Sequence, residues 1–407
     1  MTEQVLPPRQ AQTRPQFGAV LRYPSFVGLW LSEALSLIGD RLIMVALVTL
    51  VYDRTGSAGA VGLLMLLRAV PALVLGSVAG VFVDRWNRQW IMVGANLLQG
   101  LLVFWLPLSP GITVVFMIYL AMATVNQFFV PARSATIPDL VPPETLMTAN
   151  SLFAISFVGA MAIGPAIGAW VIKCFSLNAA FYVDAVTFLI PAIAVTFLAI
   201  PRQRRNPIKR SVGHDLKAGL TFARSQPVVL AALATITTAF LVIGTISVAG
   251  VVVTREILKV ETSQFGTLMS ALGVGMLIGA FSASRLGRRF NRTWLAVAGT
   301  GLMALGVTAL PWSPNLALAA LFAAMIGLGM LIVQVSGQTI LQTISPEMRG
   351  RLMGIAQTLS GSATFLASAL VGLLVERLNV TVVMGSMGAL ALAVAVTIAI
   401  CYRHTSK

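Results

Sequence analysis

Along this chain apolar and polar positions segregate into long blocks. Almost wholly apolar runs alternate with short polar turns, and their length fits the roughly 20 helical residues that cross about 30 Å of hydrocarbon. Twelve runs are predicted as helices, at 25–52, 57–82, 90–108, 112–133, 145–173, 178–200, 227–253, 262–284, 293–311, 315–341, 350–375 and 380–402. The expected fold class is all-α: a polytopic membrane protein with twelve transmembrane helices in two pseudo-symmetric six-helix bundles. The expected organisation is a cytoplasmic tail at 1–24, a bundle at 25–200, a linker at 201–226, a second bundle at 227–402 and a tail at 403–407.

The division into halves rests on an internal repeat at an offset of about 204 residues. "VFVDRWNRQW" at 81–90 is answered by "RRFNRTW", so that Arg85, Asn87, Arg88 and Trp90 recur as Arg289, Asn291, Arg292 and Trp294. "GLLM" at Gly62 to Met65 answers "GTLM" at Gly266 to Met269, and Pro107 and Pro110 answer Pro311 and Pro314. One position breaks the match, Asp84 against Arg288. Six is even, so both copies enter the membrane from the same side, as in transporters built from parallel repeats. Between them, Pro201 to Pro227 carries seven Lys and Arg, and Val212, Leu216, Leu220 and Ala223 share one helical face, the pattern of a helix lying on the bilayer surface.

Composition agrees: 57% of residues are hydrophobic and 10% charged, with a mean hydropathy of +0.89, against roughly 25% charged in soluble domains. The net charge of +15 would suit nucleic acid if it formed one patch. Instead, with the N-terminus inside, the cytoplasmic segments hold 21 of the 28 Lys and Arg, a positive-inside signature, so no nucleic-acid partner is expected. The polar N-terminal tail does not resemble a cleavable signal peptide. Both termini are expected in the cytoplasm. Cys174 and Cys401 fall on opposite sides, so neither a disulfide nor a metal site is expected. No lysine follows a glycine, which excludes a P-loop, and both His214 and His404 are cytoplasmic with no G-x-S-x-G in the chain, which argues against an enzyme.

Charges inside the spans carry the functional signal, because each costs roughly 2.5–3.5 kcal/mol at a helix centre. Glu33, Ser36 and Asp40 stack on one face of the first helix and are expected to line a central cavity; Arg41 points about 100° away. Arg68, in "LLMLLRAVPAL", needs a counter-charge, and Glu33 and Asp40 are the nearest acids. Two readings stand: a structural ion pair between helices 1 and 2, or exchange of a proton at Asp40 as Arg68 approaches and withdraws. Asp184 is expected near the outer end of helix 6, as a pairing or capping group or a substrate contact. Glu376 and Arg377 are expected to be solvated. Trp30, Met44, Tyr119, Phe128 and Phe129 offer a lipophilic wall, and Asn126 and Gln127 polar substrate contacts.

Twelve spans in two halves together with "GVFVDRWNR" resemble the major facilitator superfamily, whose loop between helices 2 and 3 reads G-x-x-x-D-R-x-x-R-R. Gly80, Asp84, Arg85 and Arg88 match, while Gln89 departs from the final base. "GAMAIGPAIGAW" is similar to the glycine-rich stretch of antiporter helix 5, through Gly159, Gly164, Pro165 and Gly168, with Ala169 where a Gly is usual. The arginine pattern of helix 4 in many drug–proton antiporters is missing. "SLIGDRLIMVALVTLVYDRTGS" and "LQTISPEMRGRLMG" look closest to the bacterial exporters that include enterobactin and macrolide efflux proteins. The resemblance implies a secondary active exporter that alternates access by proton antiport, its cargo a lipophilic drug-like compound or a siderophore; an importer or a lipid or metabolite transporter of the same fold is the alternative. It implies no cofactor beyond a proton gradient, a small-molecule substrate and the bilayer as partners, and a monomer. It also implies that Asp84 latches the halves by meeting the start of helix 11, where Ser345 reads as N-cap and Pro346 as the first helical residue, with Arg88 paired to Asp139 or Glu144. Arg288, facing the start of helix 5, cannot make the same contact, so the latch is expected on one side only.

Overall fold

The computed structural model describes residues 17–200 and 221–405, apart from 224, 288 and 345. After a short turn at Phe17–Val20 come α1 (Pro24–Thr55), α2 (Ala58–Arg85), α3 (Arg88–Trp105), α4 (Ile112–Leu140), α5 (Leu146–Cys174), α6 (Leu177–Thr196), α7 (Pro227–Val252), α8 (Phe265–Leu286), α9 (Arg292–Ala309), α10 (Leu316–Gln342), α11 (Pro346–Arg377) and α12 (Val380–Thr405). No strand occurs among the described residues. Eleven of these helices are long and apolar enough to cross a membrane, and α2 contributes a shorter apolar stretch, Ala58–Ala72. The tail before residue 17 and the surface helix expected in the linker lie outside the described residues.

Two boundaries differ from expectation. The fourth run does not end near 133: α4 continues through Pro131 and Pro138 to Leu140, carrying Arg133 inside the helix. A proline costs one backbone hydrogen bond in a helix, a loss that membrane-spanning helices tolerate where neighbouring groups satisfy the freed carbonyl. The sixth run also differs, α6 stopping at Thr196, four residues short of the expected end, whereas α11 starts at Pro346 as its first helical residue, as expected.

The repeat at 204 is a repeat of caps and turns. Asn87 accepts the amide of Gln89 at 2.9 Å to cap α3, and Asn291 accepts that of Thr293 at 2.9 Å to cap α9. Leu106–Leu108 and Leu310–Trp312 form matching 3₁₀ turns, each closed by a serine hydroxyl, Ser109 to Leu106 O and Ser313 to Leu310 O, both at 2.7 Å. Helix neighbours repeat too. Contacts of α1 with α5 and α6, of α2 with α4, and of α3 with α4 and α6 recur, six helices on, as α7 with α11 and α12, α8 with α10, and α9 with α10 and α12.

Two seams join the first six helices to the last six, α2 against α11 and α5 against α8. Glycines allow both. A Cβ on Gly62 would lie 2.8 Å from Ser368 O, and one on Gly273 would strike the Met161 backbone. We call the end bearing the turns at 86–87 and 287–291 the basic end and the opposite one the far end.

Candidate functional site

Charges buried in mid-helix belong to the first six helices; within α7–α12 charged residues are confined to the end turns. Six such residues, Glu33, Asp40, Arg41, Arg68, Arg133 and Asp184, come from four helices and meet around α1. Successive residues on α1 face different neighbours because each advances about 100°. Gly39 faces α6, Asp40 faces α2 and α4, and Arg41 faces α5.

Asp40, Met44, Arg68, Gln99, Tyr119 and Asn126 line a pocket of about 40 Å³ between α1, α2, α3 and α4, room for a water or two. Arg68 lies midway along α2 and lines this pocket, in keeping with the cost of turning a charge at that depth towards lipid. It acts on Asp40 and Tyr119 from across the pocket.

The ion pair expected between α1 and α2 is corrected. Glu33, 5% exposed, accepts from Arg133 of α4, and no ion pair forms between Arg68 and either acid. Arg133 stood at the last position of the expected run and was not singled out there, but α4 extends beyond it to Leu140 and so carries an arginine. The remaining guanidinium faces rest on aromatic rings of one α5 face: Arg133 Cζ lies 5.7 Å from the Phe153 centroid and Arg41 Cζ 5.1 Å from that of Phe157. Such contacts contribute roughly 0.5–2 kcal/mol, the more when desolvated, and the four-residue spacing places both rings on the same side of α5.

Asp184 is not at the outer end. It is 0% exposed in the crossing of α1 and α6, with Thr187 Oγ1 2.9 Å from its Oδ1. A Cβ on Gly39 would collide with both groups, so only glycine leaves room for the carboxyl. Two polar residues of α3 went unnoticed in the sequence: Gln99, and Asn96, whose side chain is 1% exposed and makes no hydrogen bond. Their three-residue spacing in an apolar helix was the available signal.

The other candidates distribute as follows. Trp30 donates to Ser156 Oγ at 2.9 Å, tying α1 to α5. Gln127 donates to Ala123 O of its own helix at 3.3 Å. Gly164 and Gly168 receive the α1 backbone at Ile38 O and Leu42 O, while a Cβ on Gly159 would meet nothing within 4 Å. On its other side Pro165 O is met by Gly266 of α8. Arg88 pairs with Asp139 at 2.8 Å and donates to Ala135 O at 3.0 Å. Gln89, where the resemblance expects a base, points its amide at the last carbonyls of α6, Val195 at 2.9 Å, Thr196 at 3.0 Å and Leu198 at 2.9 Å. Arg85 is exposed; the surroundings of Gly80 and Asp84, and Arg288 and Ser345 themselves, lie outside the described residues.

The far end holds the hydrogen bonds between the two helix sets that fall among the described residues. Tyr52 donates to Glu256 at 2.8 Å and Thr262 to Asp53 at 2.6 Å. Tyr52 and Glu256 are themselves 204 apart, so repeat-related positions touch each other where the halves meet. Glu376 is no free surface acid. It accepts from Ser57 Oγ and, at 3.0 Å, from Gly59 N, capping the start of α2 from the last turn of α11.

Residues 17–406 match the family described as transmembrane secretion effector. Macrolide efflux protein A of Streptococcus pyogenes is 25% identical over 371 residues, covering 87% of this chain and 90% of that protein. The multidrug efflux pump Tap of Mycolicibacterium fortuitum is 25% identical over 365 residues, covering 83% and 86%. Among solved structures, the nucleoside transporter NupG superposes with a TM-score of 0.73 at 14% identity over 93% of this chain and 99% of that one, a likeness of fold. The chain, a multi-pass membrane transporter and not an enzyme, belongs to the transmembrane secretion effector family of the major facilitator superfamily.

Proposed function

We propose that the protein is a secondary active exporter which expels a lipophilic drug-like compound or a siderophore from a bacterial cell in exchange for protons. Twelve crossings form two six-helix bundles that rock about a midplane site, and a monomer holds the whole path. The observation that carries this reading is the lopsided centre: mid-helix charges cluster in one half around a small polar pocket, and hydrogen bonds join the two helix sets at the far end. Exporter relatives support the direction of transport and a drug-like cargo.

The positive-inside rule assigns the basic end to the cytoplasm, with both termini there. This conformer then faces inward. Cβ atoms built on Gly159, Gly350 and Gly354, in the basic-end halves of α5 and α11, would meet nothing within 4 Å, whereas Gly62, Gly266 and Gly372 nearer the far end are crowded. Asp40 exchanges the proton, its charge favoured when Arg68 approaches and disfavoured when Arg68 withdraws. One proton moved through 100 mV supplies about 2.3 kcal/mol, which sustains roughly a fifty-fold gradient of a neutral cargo. Opening outward needs the basic end closed, and Asp84 performs that closure against the start of α11. Asp84→Asn is expected to slow export without weakening cargo affinity, measured as a lower maximal rate at unchanged half-saturation.

Expression in an efflux-deficient bacterium, challenged with a panel of macrolides and siderophores, tests the reading. Raised tolerance or secretion of at least one compound, lost with Asp40→Asn, is the expected result. Greater sensitivity with higher uptake would instead mark an importer.

A further inference from the structure

Of the three acids buried in mid-helix, two have arginines at hand. Glu33 accepts from Arg133, and Asp40 shares a pocket with Arg68 and feels the charge of Arg41 beside it on α1. Asp184 has none. Its Oδ2 makes no hydrogen bond, and the one charged group acting on it is Asp40, a like charge.

The elements around it confirm the isolation. From α1 it meets Gly39, with Asp40 next in line, while Arg41 leaves on another side towards Phe157. The charged residue of α3, Arg88, sits at the helix start and is paired with Asp139. The titratable groups of α5, Lys173 and Cys174, are exposed at the far end, and Tyr182 of α6 lies against Phe104. An unpaired carboxylate enclosed in this way is too costly to keep ionised.

Hydrogen-bond arithmetic at Thr187 points the same way. Its hydroxyl lies 2.8 Å from the main-chain oxygen of Asp184 and 2.9 Å from Oδ1. A threonine hydroxyl has one hydrogen and two lone pairs. The hydroxyl can donate to Oδ1, which leaves Oδ2, the buried oxygen without a partner, as the seat of a proton.

We propose that Asp184 is a second seat of the transported proton: it holds the proton on Oδ2 as a neutral acid, with Oδ1 accepting from Thr187, in the conformer closed at the far end, and passes it to Asp40. This rests on the proton-antiport reading above. In the transfer the O–H bond at Asp184 breaks and one forms on Asp40, directly or through water in the adjoining pocket. Asp184, left as a carboxylate, regains a proton from outside when the far end opens. Gly39, next to Asp40, leaves the room that Asp184 occupies against α1.

Infrared spectroscopy of the full chain reconstituted in lipid is the test. A protonated-carboxyl C=O band at neutral pH is expected, lost in Asp184→Asn and retained in Asp40→Asn. Thr187→Val, which keeps both acids, should shift it to higher frequency. A band unchanged in Asp184→Asn, or unmoved by Thr187→Val, overturns the proposal, and the second variant decides if the first does not fold. In vesicles loaded with a pH dye and given a macrolide antibiotic as probe, pH-driven accumulation should be lost in Asp184→Asn; full retention also overturns it. Wild-type protein that moves the macrolide with no proton flux would refute the antiport reading itself, and a band that persists there would mark Asp184 as a structural acid only.

Discussion

At the scale of single residues, three arginines and three carboxyls share the interior of the first six helices without pairing off one to one. Glu33 and Arg133 are mutually satisfied on one side, yet Glu33 Oε2 and Arg133 Nε remain without partners. Removing one member of such a pair leaves a buried charge, a loss of about 3–5 kcal/mol, while replacing both by apolar residues is often tolerated. Arg133→Met should therefore lower the melting temperature in detergent sharply, and Glu33→Leu with Arg133→Met should recover most of it. Equal melting of the single and double variants would show that the pair has no such role. Gly39→Ala should destabilise by about 1–3 kcal/mol, the range for overpacking, because its Cβ meets Asp184 and Thr187; the same melting assay reads it.

At the scale of elements, the α2–α11 pair carries an acid on α11 set against the start of α2. Glu376 caps that start in an exposed position, and such a charge–dipole contact is worth roughly 0.3–1 kcal/mol. That biases closure about two- to five-fold and does not lock it. Glu376→Gln should shift the population toward far-end opening, seen as longer spin-label distances between positions 178 and 379, and an unchanged distribution would contradict this. How much of these elements was legible follows from what kind of force sets them. The all-helical class, most of the apolar spans and the repeated turn at Asn87 and Asn291 are written locally, in hydropathy and turn chemistry. The Glu33–Arg133 pair joins positions 100 apart, and Glu376–Ser57 positions 319 apart, so no local pattern announces either. Arg133 went unread because it closes the apolar run, whereas α4 continues through Pro138 to Leu140. Asp184 was placed by its distance along α6, whereas its burial depends on a glycine of another helix.

At the scale of the whole molecule, two helix sets with repeating neighbours are held together at the far end, and the charge cluster lies in one of them. Such an arrangement lets one half present a titrating face while the other, neutral in mid-helix, moves against it. The account stands on coupling between cargo and proton. Everted membrane vesicles carrying the protein, energised to an acidic interior, test it with a fluorescent pH probe. Adding an exported macrolide is predicted to dissipate the pH gradient in the parent and to leave it intact with Asp40→Asn. Equal dissipation in both, or none in the parent while the macrolide accumulates, would contradict the account.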